Sequence, residues 1–213
     1  MLYFLCMKRL IIVGGKAPDK LDIDRNHYSE VIAADSGYDT ARKLGIEIDS
    51  AVGDFDSTTL RGELIGKGFV PCSHDKDCSD TELAVRSGGG DYDLIGGGEG
   101  RIDHTLELLS MMQRLGAPAV WYMASDTVFR IDTAAEISAP AGTDISFFAL
   151  SGTVHAHTEG LVWELDEFPL SSTAVSLSNR TDTGHILIDA DGIVLARVSP
   201  DVFRELQIRP VAR

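Results

Sequence analysis

The 213-residue sequence predicts an α/β protein in which an N-terminal doubly wound, Rossmann-like parallel sheet is followed by a C-terminal all-β sandwich. In the first half, short apolar runs alternate with helix-like stretches, which is typical of a parallel sheet covered by helices on both faces. In the second half, strands follow one another with turn residues between them, and little helix is suggested after Leu115. The change near Ser125 predicts two domains, residues 1–126 and 127–213.

The apolar runs of the first half are short enough to be buried strands, and several end in glycine or aspartate. The predicted strands are Leu10–Val13, Val31–Ala34, Ala51–Val52, Phe69–Val70, Tyr92–Ile95 and Ala119–Met123. Helices are predicted over Tyr38–Leu44, from Thr81 onward, and over Thr105–Leu115. The apolar residues 1–6 are expected to extend the first strand, and Met7 is an alternative start.

The second half contains a series of short strand patterns with turns between them. The predicted strands are Phe129–Asp132, Ile145–Leu150, Gly152–His157, Leu161–Leu165, Ala174–Leu177, His185–Ile188 and Gly192–Val198. Asp191-Gly192 is a hairpin-type turn. No internal repeat interrupts the series, so a single sandwich or barrel is expected.

Composition excludes several classes of partner. The formal net charge of −14 repels nucleic-acid phosphates and anionic membranes, so neither is expected to bind. An anionic nucleotide could bind such a chain only through divalent cations.

The apolar N-terminal pieces are shorter than the ~18 residues of a membrane helix and lack a cleavage site, so the predicted location is the cytoplasm. Cys6, Cys72 and Cys78 form no CxxC pair, which fits a reducing compartment.

Charged residues fall at the ends of the predicted parallel strands. Asp35 follows the second strand, and Asp54 and Asp56 follow the third. Arg101 and Asp103 come after the fifth strand and its glycine loop. Because open parallel sheets bind ligands beyond the carboxyl ends of their strands, these side chains are expected to converge.

The segment Gly53-Asp54-Phe55-Asp56-Ser57 is the sharpest local signal. Two carboxylates one residue apart in an extended chain point the same way and repel each other unless a cation lies between them. Mg²⁺ is the natural candidate, because it prefers oxygen ligands and keeps waters that phosphates can replace. The alternative is a plain turn in which Asp56 caps a following helix.

The polar stretch from Asp75 to Glu82 has two interpretations. In the functional one, Lys76 contacts a phosphate and Asp80 binds the metal. In the structural one, it is a charged loop, and Ser79 or Asp80 caps a helix. The residues alone do not decide between them.

The run Gly96-Gly97-Gly98-Glu99-Gly100 is neither a Walker loop nor a Rossmann fingerprint, but its amides can approach phosphate oxygens closely. Arg101 directly after it can bind phosphate through a bidentate fork. Asp103 can hold a metal or the attacking hydroxyl. His104 is expected to cap the next helix or support a carboxylate rather than act as the base.

These motifs, in this order, resemble those of the thiamine pyrophosphokinase family. The family's ADGG, GDFDS, K-D-x-[ST]-D and glycine-rich GRxDH elements are similar to residues 34–37, 53–57, 76–80 and 96–104. Two later elements, GLKW and STSN, are similar to residues 160–163 and 176–179. The resemblance covers residues 10–198.

The resemblance implies a Mg²⁺-dependent enzyme that transfers the pyrophosphoryl group of ATP to the hydroxyl of thiamine, giving thiamine diphosphate and AMP. It also implies a homodimer whose active sites lie between the α/β domain of one subunit and the β domain of the other. The implied catalytic residues are Asp35, Asp54, Asp56, Asp80, Arg101 and Asp103, with Asp54, Asp56 and Asp80 on the metal. The implied ATP-phosphate contacts are Lys76, Gly97, Gly98, Arg101 and His104. The implied thiamine contacts are Trp163, Ser176, Ser178 and Asn179.

The sequence departs from the family pattern at four positions, Ser36, Glu107, Val162 and Leu177, where glycine, asparagine, lysine and threonine are usual. None of these removes a predicted metal ligand. Three other functions stay open at this point: a pyrophosphokinase for a pterin alcohol, a non-catalytic nucleotide or thiamine sensor, and a metal-dependent phosphohydrolase.

Overall fold

The computed structural model describes residues 7–75, 77–166 and 168–211. The chain divides into two compact units, residues 1–124 and 125–213. The apolar residues 1–6, predicted to extend the first strand, lie outside the described residues. The catalytic and thiamine-binding roles predicted for the two halves remain predictions.

Among the described residues of the first unit, five strands pair in parallel. They are β1 (Lys8–Val13), β2 (Tyr28–Ala34), β3 (Ser50–Val52), β4 (Tyr92–Ile95) and β5 (Val120–Tyr122). Its helices are a 3₁₀ turn (Arg25–His27), α1 (Gly37–Leu44), α2 (Arg61–Gly66), α3 (Asp80–Arg86) and α4 (Ile102–Leu115). From Arg9 to Val13, β1 is buried at every residue, as expected for a parallel strand covered on both faces.

The second unit is built mainly from antiparallel strands. They are β6 (Thr127–Ile131), β7 (Ala134–Ser138), β8 (Thr143–Phe148), β9 (Ala156–Glu159), β10 (Ser176–Thr181), β11 (His185–Ala190), β12 (Val194–Val198) and β13 (Gln207–Pro210). One short helix, α5 (Pro200–Glu205), starts at Ser199, whose hydroxyl accepts from the Val202 amide. Burial alternates along β8, which is typical of a strand with one solvated face.

The predicted fold class is wrong. Within the described residues the strands form a nine-stranded mixed sheet, in the order β10-β8-β12-β6-β5-β4-β1-β2-β3, and a four-stranded antiparallel sheet, β13-β7-β11-β9. Helix accounts for only 22% of the structure. A Rossmann-like α/β domain followed by an all-β sandwich would instead keep its parallel sheet separate. Local patterns locate strands, but partners are set by hydrogen bonds between distant segments, which the sequence analysis could not assign.

Several local predictions also need correction. Phe69–Val70 is not a strand, and Val70 is strongly exposed. Leu161–Leu165 is a loop, because the Leu161 and Leu165 amides bond to side chains, and the single bond from the Val162 amide to Arg180 O does not make a ladder. Strands β7 and β13 and helices α2 and α5 were not predicted. The alternation that reveals an exposed strand is short or interrupted in the two strands, and each helix has only six residues, too few to show a helical period.

Two groups of buried side chains fix the elements that carry the strand-end residues. Leu10, Ile12, Val31 and Ile95 belong to one buried cluster on the parallel strands. Phe55 belongs to a second cluster, so it anchors the segment after β3. Among the described residues, no helix combines the length and apolar character that crossing a membrane requires.

Candidate active site

A cavity of about 700 Å³ lies at the carboxyl ends of the parallel strands of the first unit. Its walls come from the segments after β1, β2, β3 and β4 and from the beginnings of α3 and α4. The predicted site residues that line it are Asp35, Asp54, Asp56, Asp80, Gly97, Gly98, Arg101, Asp103 and His104. Lys76, the predicted phosphate contact, lies outside the described residues. The structure therefore brings together every other residue predicted for the nucleotide and metal site.

Three carboxylates meet in this cavity. One oxygen from each of Asp35, Asp54 and Asp80 lies within 4.8 Å of the other two. Asp35 is only 9% exposed, and its Oδ1 has no hydrogen-bond partner among the described residues. A buried carboxylate oxygen without a donor is costly, and neighbouring ionised carboxylates repel each other. Both costs would be relieved by a cation, so this group is suited to hold one.

Unusual backbone conformations bring the carboxylates together. Asp35 (φ 46°) and Phe55 (φ 60°) adopt the left-handed conformation, which costs a non-glycine residue about 1–3 kcal/mol. Gly53 (φ 127°) lies between the strand ends, where an added Cβ would be 3.0 Å from Asp80 Cγ and 3.1 Å from Asp35 Cβ. The buried ring of Phe55 and the bond from the Asp35 amide to Val52 O (2.8 Å) hold this geometry.

Asp56 lies to one side of that group, because Phe55 turns the chain away from the extended form that the sequence predicted. The Asp56 amide donates to Asp54 Oδ1 (3.2 Å). His74 joins the two carboxylates: its Nδ1 contacts Asp54 Oδ2 and lies 3.5 Å from Asp56 Oδ2. His74 was not among the residues predicted for the site. Its position directly before the acidic stretch that leads to Asp80 was the available signal.

The glycine loop after β4 is shaped by positive φ angles at Gly96 (91°) and Gly97 (75°). Side chains could not fit there, because a Cβ on Gly97 would be 2.5 Å from Leu108 Cδ1 and one on Gly98 would be 2.7 Å from Met123 Sδ. The Gly97 amide donates to Gly14 O (2.8 Å), which fixes the loop against the end of β1. Gly97 therefore shapes the cavity through its backbone, while its own N–H is already used.

Arg101 and Asp103 form an ion pair at the start of α4, with Arg101 Nε donating to Asp103 Oδ1 at 3.1 Å. Their hydrogen bond lowers the pKa of Asp103 below its ordinary range and raises that of Arg101. Both side chains are more than half exposed, so the guanidinium can also reach a ligand in the cavity.

A second contact joins the starts of two helices that line the cavity. Ser79 begins α3, because its hydroxyl accepts from the Glu82 amide (3.1 Å). The same hydroxyl donates to Glu107 Oε1 on α4 at 2.9 Å. The capping prediction for Ser79 is therefore confirmed. Glu107, which the sequence marked only as a departure, fixes the cap that precedes Asp80.

The four predicted thiamine contacts lie in the second unit. Trp163 is 60% exposed on the loop 160–165, whereas Asn179 on β10 is 1% exposed. The Asn179 side chain bonds to the main chain of Trp163 and to Ser176 Oγ. Ser178 has φ 51°, and its amide donates to Ser146 Oγ (3.2 Å). Contact between these residues and thiamine remains a prediction.

Comparison with solved structures identifies the fold. The chain aligns with a thiamin pyrophosphokinase family protein from Enterococcus faecalis over 91% of its own length and 99% of the other chain, with a TM-score of 0.70 and 20% identity. It has the thiamin pyrophosphokinase fold.

Two further structures agree with that assignment. Thiamin pyrophosphokinase from Geobacillus thermodenitrificans matches with a TM-score of 0.67 and 21% identity, over 92% of this chain and 98% of the other. The enzyme from Candida albicans matches with a TM-score of 0.66 and 14% identity, over 90% and 88%. No protein-family model and no curated protein sequence matches the chain. At these sequence identities, the structural similarity establishes the fold. The family that the sequence motifs resemble is therefore supported at the level of the fold.

Proposed function

We propose that this protein is a thiamine pyrophosphokinase, which transfers the β,γ-pyrophosphoryl group of ATP to the hydroxyl of thiamine. The observation that carries the proposal is the meeting of Asp35, Asp54 and Asp80 in one cavity beside the glycine loop. The solved structures of the same fold are named thiamin pyrophosphokinases, which supports the choice of substrate.

The carboxylates fit a divalent cation of the Mg²⁺ type. Asp35, Asp54 and Asp80 offer oxygen ligands, the donors that Mg²⁺ prefers, and the unpartnered buried oxygen of Asp35 needs a positive partner. Asp56 would add a further carboxylate beside Asp54, since ligand atoms of Asp54, Asp56 and His74 lie within 4.8 Å of one another. When bound, the cation would neutralise charge on the ATP phosphates. A bound cation would also offset the repulsion between the acidic chain and the nucleotide.

The residues of the cavity would carry the remaining work. The glycine loop gives the phosphates close access to the backbone, and Arg101 would offset charge on the transferred group while staying paired with Asp103. The thiamine oxygen forms a bond to the β-phosphorus as the bond from that phosphorus to the α-phosphate oxygen breaks, and AMP leaves. The hydroxyl proton passes to Asp103 or Asp80. Because transfers of this kind depend on positioning and electrostatics, a weakly basic carboxylate suffices.

The exposed Trp163 would stack on the planar, cationic rings of thiamine, since an aromatic face attracts such a group. Ser176 and Ser178 would bind its polar edge. The homodimer implied by the resemblance is part of the proposal, as are the cytoplasmic location and the roles of Lys76 and His104.

AMP release tests the proposed reaction. Purified protein is given ATP and Mg²⁺ with thiamine, with a pterin alcohol, or with no acceptor. AMP that appears only with thiamine and is abolished by chelating the metal is the expected result. AMP with the pterin alcohol alone, orthophosphate without an acceptor, or no product from a folded protein would each overturn it, in favour of a pterin enzyme, a hydrolase or a sensor respectively.

A further inference from the structure

The loop 160–165 combines an exposed indole with an unusually well-bonded backbone. Trp163 is 60% exposed and the adjacent Val162 is 37% exposed, so burial does not hold these two side chains, whereas Leu161 and Leu165 at the two ends of the loop are buried. The question is what keeps Trp163 in place.

Asn179 holds the main chain of Trp163 on both sides. Its Oδ1 accepts from the Trp163 amide (3.3 Å) and the Arg180 amide (2.8 Å). Its Nδ2 donates to the Trp163 carbonyl (2.6 Å) and to Ser176 Oγ (3.3 Å). An asparagine side chain offers two acceptor and two donor positions, and all of them are used here. Asn179 is also 1% exposed, so it has neither the access nor the capacity to bind a ligand.

Glu164 fixes the first half of the same loop. Its Oε1 accepts from the amides of Gly160 (3.0 Å) and Leu161 (3.2 Å). Its Oε2 accepts from the hydroxyl of Thr158 (2.6 Å), which in turn accepts from the Leu165 amide (2.9 Å). These bonds hold the loop on both sides of Trp163 without using the indole itself.

Two backbone features complete the arrangement. The Val162 amide donates to Arg180 O on β10 (2.7 Å). Gly160 has φ 95°, and a Cβ there would be 2.0 Å from His185 O, so only glycine allows the loop to approach β11 this closely. The loop is therefore attached to two strands before any ligand arrives.

We infer that Asn179 and Glu164 are positioning residues that fix the 160–165 loop as a preformed platform, on which the Trp163 indole receives the planar cationic ring of the acceptor. The identification of that ring as part of thiamine rests on the proposed function. Asn179, which the sequence predicted to contact thiamine directly, would instead act by holding Trp163 in position. A platform that is already ordered avoids the entropic cost of fixing the loop on binding.

The positioning itself can be measured without enzyme activity. Protein labelled with 5-fluorotryptophan gives one ¹⁹F resonance for Trp163 and one for Trp121, which is 5% exposed and donates to Gly96 O in the first unit. Trp163→Phe assigns the first resonance. In Asn179→Ala and in Glu164→Gln, the Trp163 resonance is expected to move and broaden while the Trp121 resonance stays unchanged. An unchanged Trp163 resonance in both variants would overturn the inference.

Kinetics with thiamine then separate positioning from direct binding. Asn179→Ala is expected to raise the KM for thiamine about tenfold, the loss expected when a buried group and its main-chain partners lose their hydrogen bonds. The KM for ATP should stay within about twofold. In a Trp163→Ala background the same substitution should have no further effect, because its action runs through the indole. Additive effects of the two substitutions would show that Asn179 touches the substrate and would overturn the inference.

Glu159→Gln is the matched control, since this exposed carboxylate lies directly before the loop and contacts His157 rather than loop amides. It should leave both the resonance and the KM unchanged. If Asn179→Ala does not fold, Asn179→Asp replaces it, because this variant keeps the acceptor and removes the donor to Trp163 O. A wild-type protein with no turnover would overturn the proposed function, while the ¹⁹F result would still decide the positioning.

Discussion

The carboxylate cavity of the first unit and the tryptophan loop of the second hold their functional side chains in different ways. In the cavity, the backbone does the holding: left-handed residues and Gly53 at the ends of parallel strands bring Asp35, Asp54 and Asp80 together. In the loop, side chains hold the backbone, because Asn179 and Glu164 bond to main-chain groups around Trp163.

The difference follows from what each region has to hold. Carboxylates that repel one another need a rigid frame and a cation of opposite charge. A neutral indole needs only a fixed orientation. Substitutions in the first region should therefore affect metal binding and turnover, whereas those in the second should affect thiamine affinity.

The largest expected effect is in the cavity. Asp54→Asn should reduce kcat by about a thousandfold, because one lost metal ligand removes several kcal/mol of charge stabilisation. Mn²⁺ binding, followed by electron paramagnetic resonance, should weaken in parallel. Asp22→Asn is the control, as this exposed aspartate lies in the same unit outside the cavity. Full metal-dependent turnover in Asp54→Asn would contradict the assignment.

The next effect belongs to the loop. Trp163→Ala should raise the KM for thiamine about 10- to 100-fold, since stacking and cation–π contacts with the ring are lost. The KM for ATP and the affinity for Mn²⁺ should not change. Steady-state kinetics at varied thiamine and varied ATP measure both. An equal rise in the KM for thiamine and the KM for ATP would show that the loop does not act on thiamine binding alone.

A backbone change in the cavity should have a smaller, indirect effect. Gly53→Ala places a Cβ between Asp35 and Asp80 and must adopt φ 127°, so the carboxylates should separate and Mn²⁺ affinity should fall about tenfold. Gly62→Ala is the control, because that glycine lies in α2 with no atom within 4 Å of its added Cβ. The control should gain about 0.5–1 kcal/mol of stability from better helix propensity. Equal Mn²⁺ affinity in the two variants would show that Gly53 does not hold the carboxylates in position.

The smallest expected effect concerns stability alone. Glu82 on α3 is buried and accepts from Arg114 (2.9 and 3.0 Å) and from Arg86 (2.8 Å). Glu82→Gln should lower the free energy of unfolding by about 1–3 kcal/mol near neutral pH, because a partly exposed charge pair is broken. It should leave the kinetics with thiamine unchanged. Glu47→Gln, at an exposed position, is the control.

The pH dependence of that effect has a definite sign. Hydrogen bonds from Arg114 and then Arg86 lower the pKa of Glu82 below the ordinary range of a glutamate. The stability that this carboxylate contributes is therefore complete above the unfolded-state pKa and is lost as the pH falls through the lowered folded-state pKa. Denaturant unfolding of wild type and Glu82→Gln should converge at low pH. A gap that widens on acidification would contradict this.

The cavity could largely be predicted from the sequence, because Asp35, Asp54 and Asp56 follow recognisable strands and parallel strands end at one edge, although Asp80 opens a helix instead. The role of His74 and the Ser79–Glu107 contact were missed, since His74 is marked only by its place before the acidic stretch and Ser79 and Glu107 lie far apart in the sequence. In the loop, the sequence found Trp163 and Asn179 but not their relation. Whether an asparagine side chain contacts a ligand or a neighbouring main chain depends on how deeply it is buried. A four-residue motif does not contain that information.

The sheets were the least predictable part. Most strands of the first unit were located within a few residues, yet the fold class was wrong, because the mixed nine-stranded sheet depends on pairings between distant segments. Strand positions are local information, whereas strand partners are not.

Product analysis by ³¹P NMR tests the central claim most directly. Wild-type protein with ATP, Mg²⁺ and thiamine should produce AMP and thiamine diphosphate in equal amounts, with neither product in the absence of metal. Formation of ADP with thiamine monophosphate would show attack at the γ-phosphorus, and release of free phosphate or pyrophosphate would show hydrolysis. Either result would contradict transfer of an intact pyrophosphoryl group by this site.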